Sequence, residues 1–306
     1  MYVIIMGGTG MLGRALTDAL LMRQHTVSIF TREPERRRGL PPTVRLLQWT
    51  PQSPGAIAKH LREADVVVNL MGENIAASRW TPARKRALVA SRVETGRVLA
   101  SAIRLAQPRP KVLLQASAVG YYGDRGDDLV GESTPPGDDF LARLCVEWEA
   151  STATVEGLGV RRAVLRTGVV LSQEGGALPR LLWPLRLGLG GPLGTGRQWV
   201  PWIHIADHVG AMIFLMTHEK AEGVFNLVAP TPVTNAELTR ALAQRLHRPA
   251  FFRVPAFMLR LLFGEMSSVL LASQRVLPNR LLDAGYAFRY PVLNAALDNL
   301  LAPRMA

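Results

Sequence analysis

Glycines at positions 7, 10 and 13, in the run Gly7-Gly8-Thr9-Gly10-Met11-Leu12-Gly13, are the first residues whose type and spacing suit a particular chemistry. They follow an apolar segment and open an amphipathic one. A pyrophosphate needs that arrangement: a tight turn without a Cβ, a backbone that can approach closely, and the amides and positive potential of a helix N-terminus. An ordinary strand-to-helix turn is the structural alternative. A second signal stands at Thr31 and Arg32. A site for NAD offers the adenosine ribose a carboxylate at the end of the second strand, whereas a guanidinium pairs with a 2′-phosphate bidentately. Phe30-Thr31-Arg32 brings no acid before Glu33, so the expected cofactor is NADP, with NADPH preferred to NADH. A surface-loop arginine is the plainer alternative.

Those groups need a scaffold, and the chain alternates short apolar runs with helical ones. Residues 2–6, 26–30, 44–48, 66–70, 112–116 and 160–166 read as strands. Residues 12–23, a long segment from Pro82 to before Pro108, and 140–155 read as helices. Right-handed crossovers then give an α/β, Rossmann-type doubly wound parallel sheet. Beyond Arg166, glycine and proline thicken between 175 and 201. A helix follows at 205–216, a strand at 223–228, and a mostly helical tail from Pro232, with Thr234 or Asn235 capping 237–246. The expected division is a nucleotide-binding unit over 1–230, with substrate-side insertions from about 172 to 205, and a smaller helical unit over 231–306 closing the same cleft.

Composition excludes several classes. With 306 residues and 48% hydrophobic content the chain can bury a sizeable core, so a disordered protein is ruled out. The lone Cys145 excludes an intramolecular disulfide and a cysteine-rich zinc site, and no metal is expected. The net charge of +12 comes mainly from arginine, with only four lysines, and clusters at Arg36-Arg37-Arg38 and Arg84-Lys85-Arg86 lack the aromatic platform of a nucleic-acid reader. No apolar stretch reaches the ~18 residues of a spanning helix. A soluble cytoplasmic chain with no membrane or nucleic-acid partner, monomeric or homodimeric, is expected. The apolar 255–271 segment reads as a core or dimer-forming helix, or as a partner-docking surface.

The Gly-x-x-Gly-x-x-Gly spacing resembles the extended short-chain dehydrogenases/reductases. Further segments narrow the likeness: Asn69-Leu70-Met71-Gly72-Glu73-Asn74-Ile75, Ser91-Arg92-Val93-Glu94-Thr95, Ala116-Ser117-Ala118-Val119-Gly120-Tyr121-Tyr122-Gly123, Arg166-Thr167-Gly168-Val169-Val170-Leu171, Trp199-Val200-Pro201-Trp202-Ile203-His204, and Gln274-Arg275-Val276-Leu277-Pro278. Together they resemble the YfcH-like epimerase family, atypical extended short-chain proteins with a C-terminal domain of unknown function. The resemblance covers essentially the whole chain. It implies that a dinucleotide contacts Gly7, Gly10, Met11, Leu12, Gly13, Thr31, Arg32, Leu70, Met71, Gly72, Arg92 and Val169.

For the superfamily, the resemblance implies hydride transfer between a nicotinamide and a carbon bearing oxygen, with a tyrosine, a lysine four residues on and a serine around that oxygen. Ser117 fits the serine. Aligning Glu149 with the acid that often follows the lysine puts Leu141 and Cys145 where tyrosine and lysine belong, and no Tyr-x-x-x-Lys occurs in the chain. Tyr121 or Tyr122 is the candidate replacement acid, with loop packing the alternative. Glu73 and Asn74 are candidates for touching substrate, or belong to a solvated loop. His204 binds substrate or caps the following helix. The 188–196 loop with Arg197 resembles the substrate side of sugar-nucleotide enzymes, or is a lid. The implied function is an NADP-binding, epimerase-like oxidoreductase for a small hydroxylated substrate, nucleotide-sugars included. The alternative is an NADP-binding regulatory or partner-binding protein.

Overall fold

The apolar runs of the sequence become the middle of one parallel sheet. The computed structural model describes residues 1–37 and 39–302; Arg38 of the arginine cluster and the last four residues of the 231–306 unit lie outside these. Seven strands, β1 (Tyr2–Met6), β2 (Thr26–Thr31), β3 (Arg45–Gln48), β4 (Val66–Asn69), β5 (Val112–Ala118), β6 (Arg161–Thr167) and β7 (Gly223–Leu227), lie in the order β7-β6-β5-β4-β1-β2-β3. Every pairing is parallel. The chain runs outward from β1 through β2 to β3, then returns to place β4 on the other side of β1. A crevice opens at the carboxyl ends of strands where order reverses in this way, and that is where such sheets bind ligands.

Helices cover both faces. On one, α1 (Met11–Met22) brings Leu16 and Leu20 against Ile5, Ile29, Val68 and Leu114, beside Met212 and Leu215 of the 205–217 helix. On the other, α2 (Pro54–Leu61) sets Ile57 and Leu61 against Ile4, Val67 and Leu113. Sequence reading does not anticipate α2, because Ser53-Pro54-Gly55 resembles a turn; the proline instead occupies the first helical turn, where its missing N–H costs nothing. The long segment from Pro82 forms α3 (Pro82–Val89), a π-helical stretch (Ala90–Glu94) and α4 (Thr95–Leu105). The extra residue of the π turn coincides with a buried Arg92. The expected 140–155 helix divides into α5 (Phe140–Ala150) and a 3-10 stretch (Ala153–Leu158). At the break the Ser151 hydroxyl donates to the Trp148 carbonyl at 2.6 Å.

Beyond the sheet, α6 (Leu178–Arg186), α7 (Ile205–Thr217) and α8 (Asn235–Leu246) follow, then α9 (Ala256–Phe263). Thr234 caps α8 through a reciprocal pair with Glu237. Leu182, Trp202, Leu238, Leu242 and Leu297 share one apolar cluster, so residues from both sides of position 230 are packed together.

Candidate functional site

The glycine run is built for close approach. Gly7 has φ +77°, and a Cβ there would lie 2.7 Å from the Leu70 carbonyl oxygen. A Cβ on Gly13 would run into the Cα of Gly8, and one on Gly8 would lie 2.6 Å from the Ile29 side chain. Gly8 is the member that spacing alone does not single out. Gly10 differs from all three: the nearest atom to a Cβ there is the Gly7 carbonyl oxygen, at an ordinary 3.5 Å. Packing therefore requires glycine at 7, 8 and 13 but not at 10. Gly10 stands at the start of α1, whose first turn carries no acidic side chain and whose cap residue offers no side-chain hydrogen bond. The helix dipole there is left uncompensated, which suits an anion.

Neighbouring groups line the same carboxyl ends. Leu70, Met71 and Gly72 continue from β4, and Asn69 holds their path: its Oδ1 accepts from the Met71 amide at 3.2 Å while its Nδ2 donates to Gln115 at 2.9 Å. Thr31 ends β2 and accepts from the Glu33 amide at 3.3 Å. Arg32 is exposed, and among the described residues its guanidinium has no ion pair. Met11 packs under Gly175 and Gly176, and Leu12 lies against the core. Val169 donates to the Pro201 carbonyl at 2.6 Å, beyond the end of β6. Arg92 is buried against Gly72 and donates to the Glu73 carbonyl at 2.8 Å, its guanidinium 5.0 Å over the Trp148 ring. Burial pushes it down to about 10. Its visible bonds hold the 72–73 backbone in place.

At the carboxyl end of β5 the polar groups satisfy one another. Ser117 pairs in register with Arg166 of β6. The Ser117 hydroxyl donates to Glu149 Oε1 at 2.6 Å, and Arg166 holds the same carboxylate with two bonds, Nε to Oε1 at 2.8 Å and Nη2 to Oε2 at 2.9 Å. Arg166 Nη1 donates to the Tyr122 hydroxyl at 3.1 Å, which donates to Asn226 Oδ1 at 2.7 Å. Burial alone pulls the Arg166 guanidinium down, but the bonds and charge of Glu149 outweigh it and raise it well above the ordinary arginine value. Tyr122 is fully buried and its phenol is raised, first by burial. With its hydroxyl engaged on both sides, Tyr122 is removed from the candidates for proton transfer. Tyr121 is half-buried, lies under the Arg166 guanidinium 3.3 Å from its ring centroid, and makes no side-chain hydrogen bond to the described residues.

Leu141 packs over Gly120, and Cys145 is buried beside the Ser117 hydroxyl and the Ala118 amide. Burial pushes the Cys145 thiol up to about 12, so it remains a thiol at neutral pH. The turn carrying Tyr121 is clamped from the C-terminal part of the chain, where Gln274 Nε2 donates to the carbonyls of Val119 and Gly123 at 2.9 and 2.8 Å. Nothing local in the Gln274-Arg275-Val276-Leu277-Pro278 motif marks Gln274 for this clamp.

The remaining candidates separate. His204 is buried and caps α7: its Nδ1 accepts from the Ala206 amide at 3.0 Å, its other nitrogen meets Asn299 at 3.2 Å, and its ring packs on Tyr290. Of the two expectations for His204 the structure displays the cap, with both ring nitrogens engaged. Asp207 similarly holds the amides of Arg289 and Tyr290. Glu73 is exposed and paired with Arg84, which also donates to the Asn74 carbonyl. Arg197 is exposed on the loop that packs against the start of α8. Among the described residues no group of three or more acids, histidines or cysteines could hold a metal. No described helix is long and apolar enough to cross a membrane.

A parallel sheet with its glycine turn at the switch point defines a nucleotide-binding protein of the short-chain dehydrogenase/reductase fold. Residues 3–227 match the NAD dependent epimerase/dehydratase family, and residues 254–300 match a domain of unknown function, DUF1731. The chain belongs to that epimerase/dehydratase family. It is 39% identical to the mouse epimerase family protein SDR39U1 over 99% of this chain and 100% of that one. The crystal structure of human SDR39U1 (isoform 2) with NADPH superimposes with a TM-score of 0.87 at 36% identity, covering 98% of this chain and 99% of that one. A nucleoside-diphosphate sugar epimerase from Corynebacterium glutamicum gives a TM-score of 0.80 at 34% identity, over 98% of this chain and 58% of that one.

Proposed function

We propose that the chain is a cytoplasmic, epimerase-type oxidoreductase that binds NADP, prefers NADPH to NADH, and acts on a small hydroxylated substrate of the nucleotide-sugar class. The observation that carries the cofactor reading is the contrast among the glycines: three are demanded by packing, and the fourth, at an uncompensated helix N-terminus, is not. The exposed Arg32 beside Thr31 supports the 2′-phosphate preference. The human relative's NADPH and the Corynebacterium relative's name support cofactor and substrate class respectively. We assign the nucleotide to a unit over 1–230 and closure of the cleft to 231–306.

When bound, the nicotinamide supplies or accepts a hydride. The chain's part begins with binding: backbone amides at Met11, Leu12 and Gly13 take the pyrophosphate, Gly10, whose own amide donates to the Gly7 carbonyl at 3.1 Å, lets it approach, Thr31 and Arg32 take the adenosine ribose phosphate, and Gly7, Leu70, Met71, Gly72 and Val169 shape the walls. Arg92 holds the 72–73 backbone. Ser117 has given its proton to the Glu149 hydrogen bond, so toward substrate it accepts, which suits a substrate hydroxyl. Tyr121 exchanges the proton, with Arg166 over its ring fixing the ring's direction. Glu73, Asn74 and Arg197 are left as contacts to the substrate's polar groups.

A second reading is an NADP-binding regulatory protein without turnover. It is favoured by Leu141 and Cys145 in place of the tyrosine and lysine. One set of measurements separates the two. Titration with NADPH and NADH should show tighter NADPH binding. A panel of nucleotide-sugars followed by nicotinamide absorbance and epimer formation should then reveal turnover that Tyr121→Phe lowers by about 10²-fold or more. NADPH binding with no turnover across the panel selects the regulatory reading. No binding of either dinucleotide overturns both.

A further inference from the structure

The apolar 255–271 segment is not one helix, and only part of it, Leu259 and Met266 with Phe263 packed alongside, reaches the core. It forms α9, a 3-10 turn (Gly264–Ser267) and a short helix (Ser268–Leu271). In α9 only Leu259 is buried, while Phe257, Leu261 and Leu262 are 68%, 73% and 58% exposed. Phe251 and Phe252, just ahead of it, are equally open. So is the outer side of α6, where Trp183 is exposed and the chain continues through exposed Leu187 and Leu189. The two segments meet: Leu193 bridges Val254, and Gly191 packs on the Phe252 backbone. Both also rest on the loop after Gly72, through Arg180 to the Ala76 carbonyl and Arg79 to the Leu261 carbonyl. Large side chains of about 150–250 Å² each, mostly exposed, leave on the order of 1,000 Å² of apolar surface here, above the few hundred Å² usual for a monomer.

Charge distribution says what this face fits. Residues 175–206 and 238–264 contain no aspartate or glutamate, yet they carry Arg180, Arg186, Arg253 and Arg260, all exposed. The face is therefore apolar at its centre and mainly cationic around it; Glu265, the acid of the adjoining 3-10 turn, is paired with Lys85. A second copy of the chain would bring a like-charged face against it, in a chain already at +12. A nucleic acid would meet the arginines but leave Leu187, Leu189, Leu261 and Leu262 in water. An anionic bilayer satisfies both halves, with phenylalanine, leucine and tryptophan entering the headgroup–acyl boundary and guanidinium groups on the phosphates.

We infer that the α6–α9 face is a peripheral docking surface for an anionic lipid bilayer. The chain lies on the membrane rather than spanning it, and the surface stands independently of the reaction at Ser117 and Tyr121. This departs from the expectation of no membrane partner, which composition supports only against a spanning helix.

The test is co-sedimentation of the full chain with phosphatidylcholine vesicles, with and without phosphatidylglycerol, while Trp183 emission is followed by comparison with Trp183→Phe. Binding should require the anionic lipid, with a blue shift that Trp183→Phe removes. The variant Phe257→Ser/Leu261→Ser should weaken binding by about tenfold or more while NADPH binding and the thermal midpoint are retained. Arg186→Glu/Arg260→Glu should weaken it as well, which covers the case in which the serine variant fails to fold. Three results would overturn the inference: no binding to anionic vesicles, binding indifferent to the apolar substitutions, or a dimer in sedimentation velocity that the serine variant dissociates and vesicles do not displace.

Discussion

The two ends of the cleft use polar groups in opposite ways. At β1 and β2, the first turn of α1 has no side-chain cap and no acid, and the Arg32 guanidinium has no ion pair among the described residues. At β5 and β6 the donor hydrogens are spent within the protein: Ser117 and Arg166 donate to Glu149, Arg166 to Tyr122 and Tyr122 to Asn226, so that Ser117 can only accept. The first region keeps donor groups uncompensated; the second is a braced wall with one open hydroxyl, Tyr121. Residue type is the same kind of signal in both regions. What differs is how much capacity remains after folding.

The largest expected effect follows from breaking that wall. Arg166→Leu strands the Glu149 carboxylate, whose side chain is only 13% exposed, at a cost approaching the ~3–5 kcal/mol of a fully buried charge. Urea unfolding should show that loss, and Glu149→Leu/Arg166→Leu should recover much of it, because the penalty belongs to the unpaired charge. A single-variant cost below about 1 kcal/mol would mean the pair behaves like a solvated one, and the contrast between the two regions would fail.

A pH effect of about 3 kcal/mol comes next, from the same side of the molecule. His208 on α7 is fully buried, with one nitrogen on the Thr167 hydroxyl at 3.1 Å and Nδ1 unpartnered. Burial pushes it down to about 4, from 6.5. Below pH 6.5 the unfolded chain takes up a proton that the folded chain refuses, so the stability contributed by neutral His208 is complete above 6.5 and drains away as pH falls toward 4. Subtracting the profile of His208→Asn from that of the parent should isolate a slope confined to this window. A flat difference would show that water reaches the imidazole.

The glycine end is broken differently. Gly13→Ala forces a methyl into Gly8 and should lower stability by about 1–3 kcal/mol, taking NADPH binding with it. Gly10→Ala has room within the chain, so its stability change should stay under about 1 kcal/mol while NADPH affinity falls at least about tenfold. Calorimetry on both variants separates a glycine that the fold needs from one that the ligand needs.

These contrasts also explain what was legible in the sequence. The glycine turn, the strand segments and an N-cap at Thr234 or Asn235 are local: a glycine spacing, an apolar run or a capping side chain is visible in the residues that make it, whereas the order of the strands is not. Tyr121 and Tyr122 are adjacent and identical in type, and only the tertiary neighbours Asn226 and Arg166 decide that one is locked and the other open. Glu149 reads as a landmark in a helix. Its bond to Ser117 depends on residues 32 positions apart meeting across an element boundary, which no spacing rule contains. His204 fits a cap as well as a ligand on sequence, and the Ala206 amide decides.

The smallest effect tests the open end most directly. Arg32→Asp exchanges the group suited to a 2′-phosphate for the one suited to a 2′-hydroxyl, on a side chain that is exposed and holds nothing else in place. Stability should not move, since the structural contact of this residue is its carbonyl, which accepts from Gln48 at 3.2 Å. The ratio of NADPH to NADH affinity should fall by about tenfold, or about 1.4 kcal/mol. Because charges at an exposed site are screened within about 10 Å at 0.1 M salt, the parent's preference should also shrink as salt is raised, and that of the variant should not. A ratio unchanged by the substitution would mean another group reads the phosphate, leaving the glycine turn as the part of this region whose openness serves the ligand.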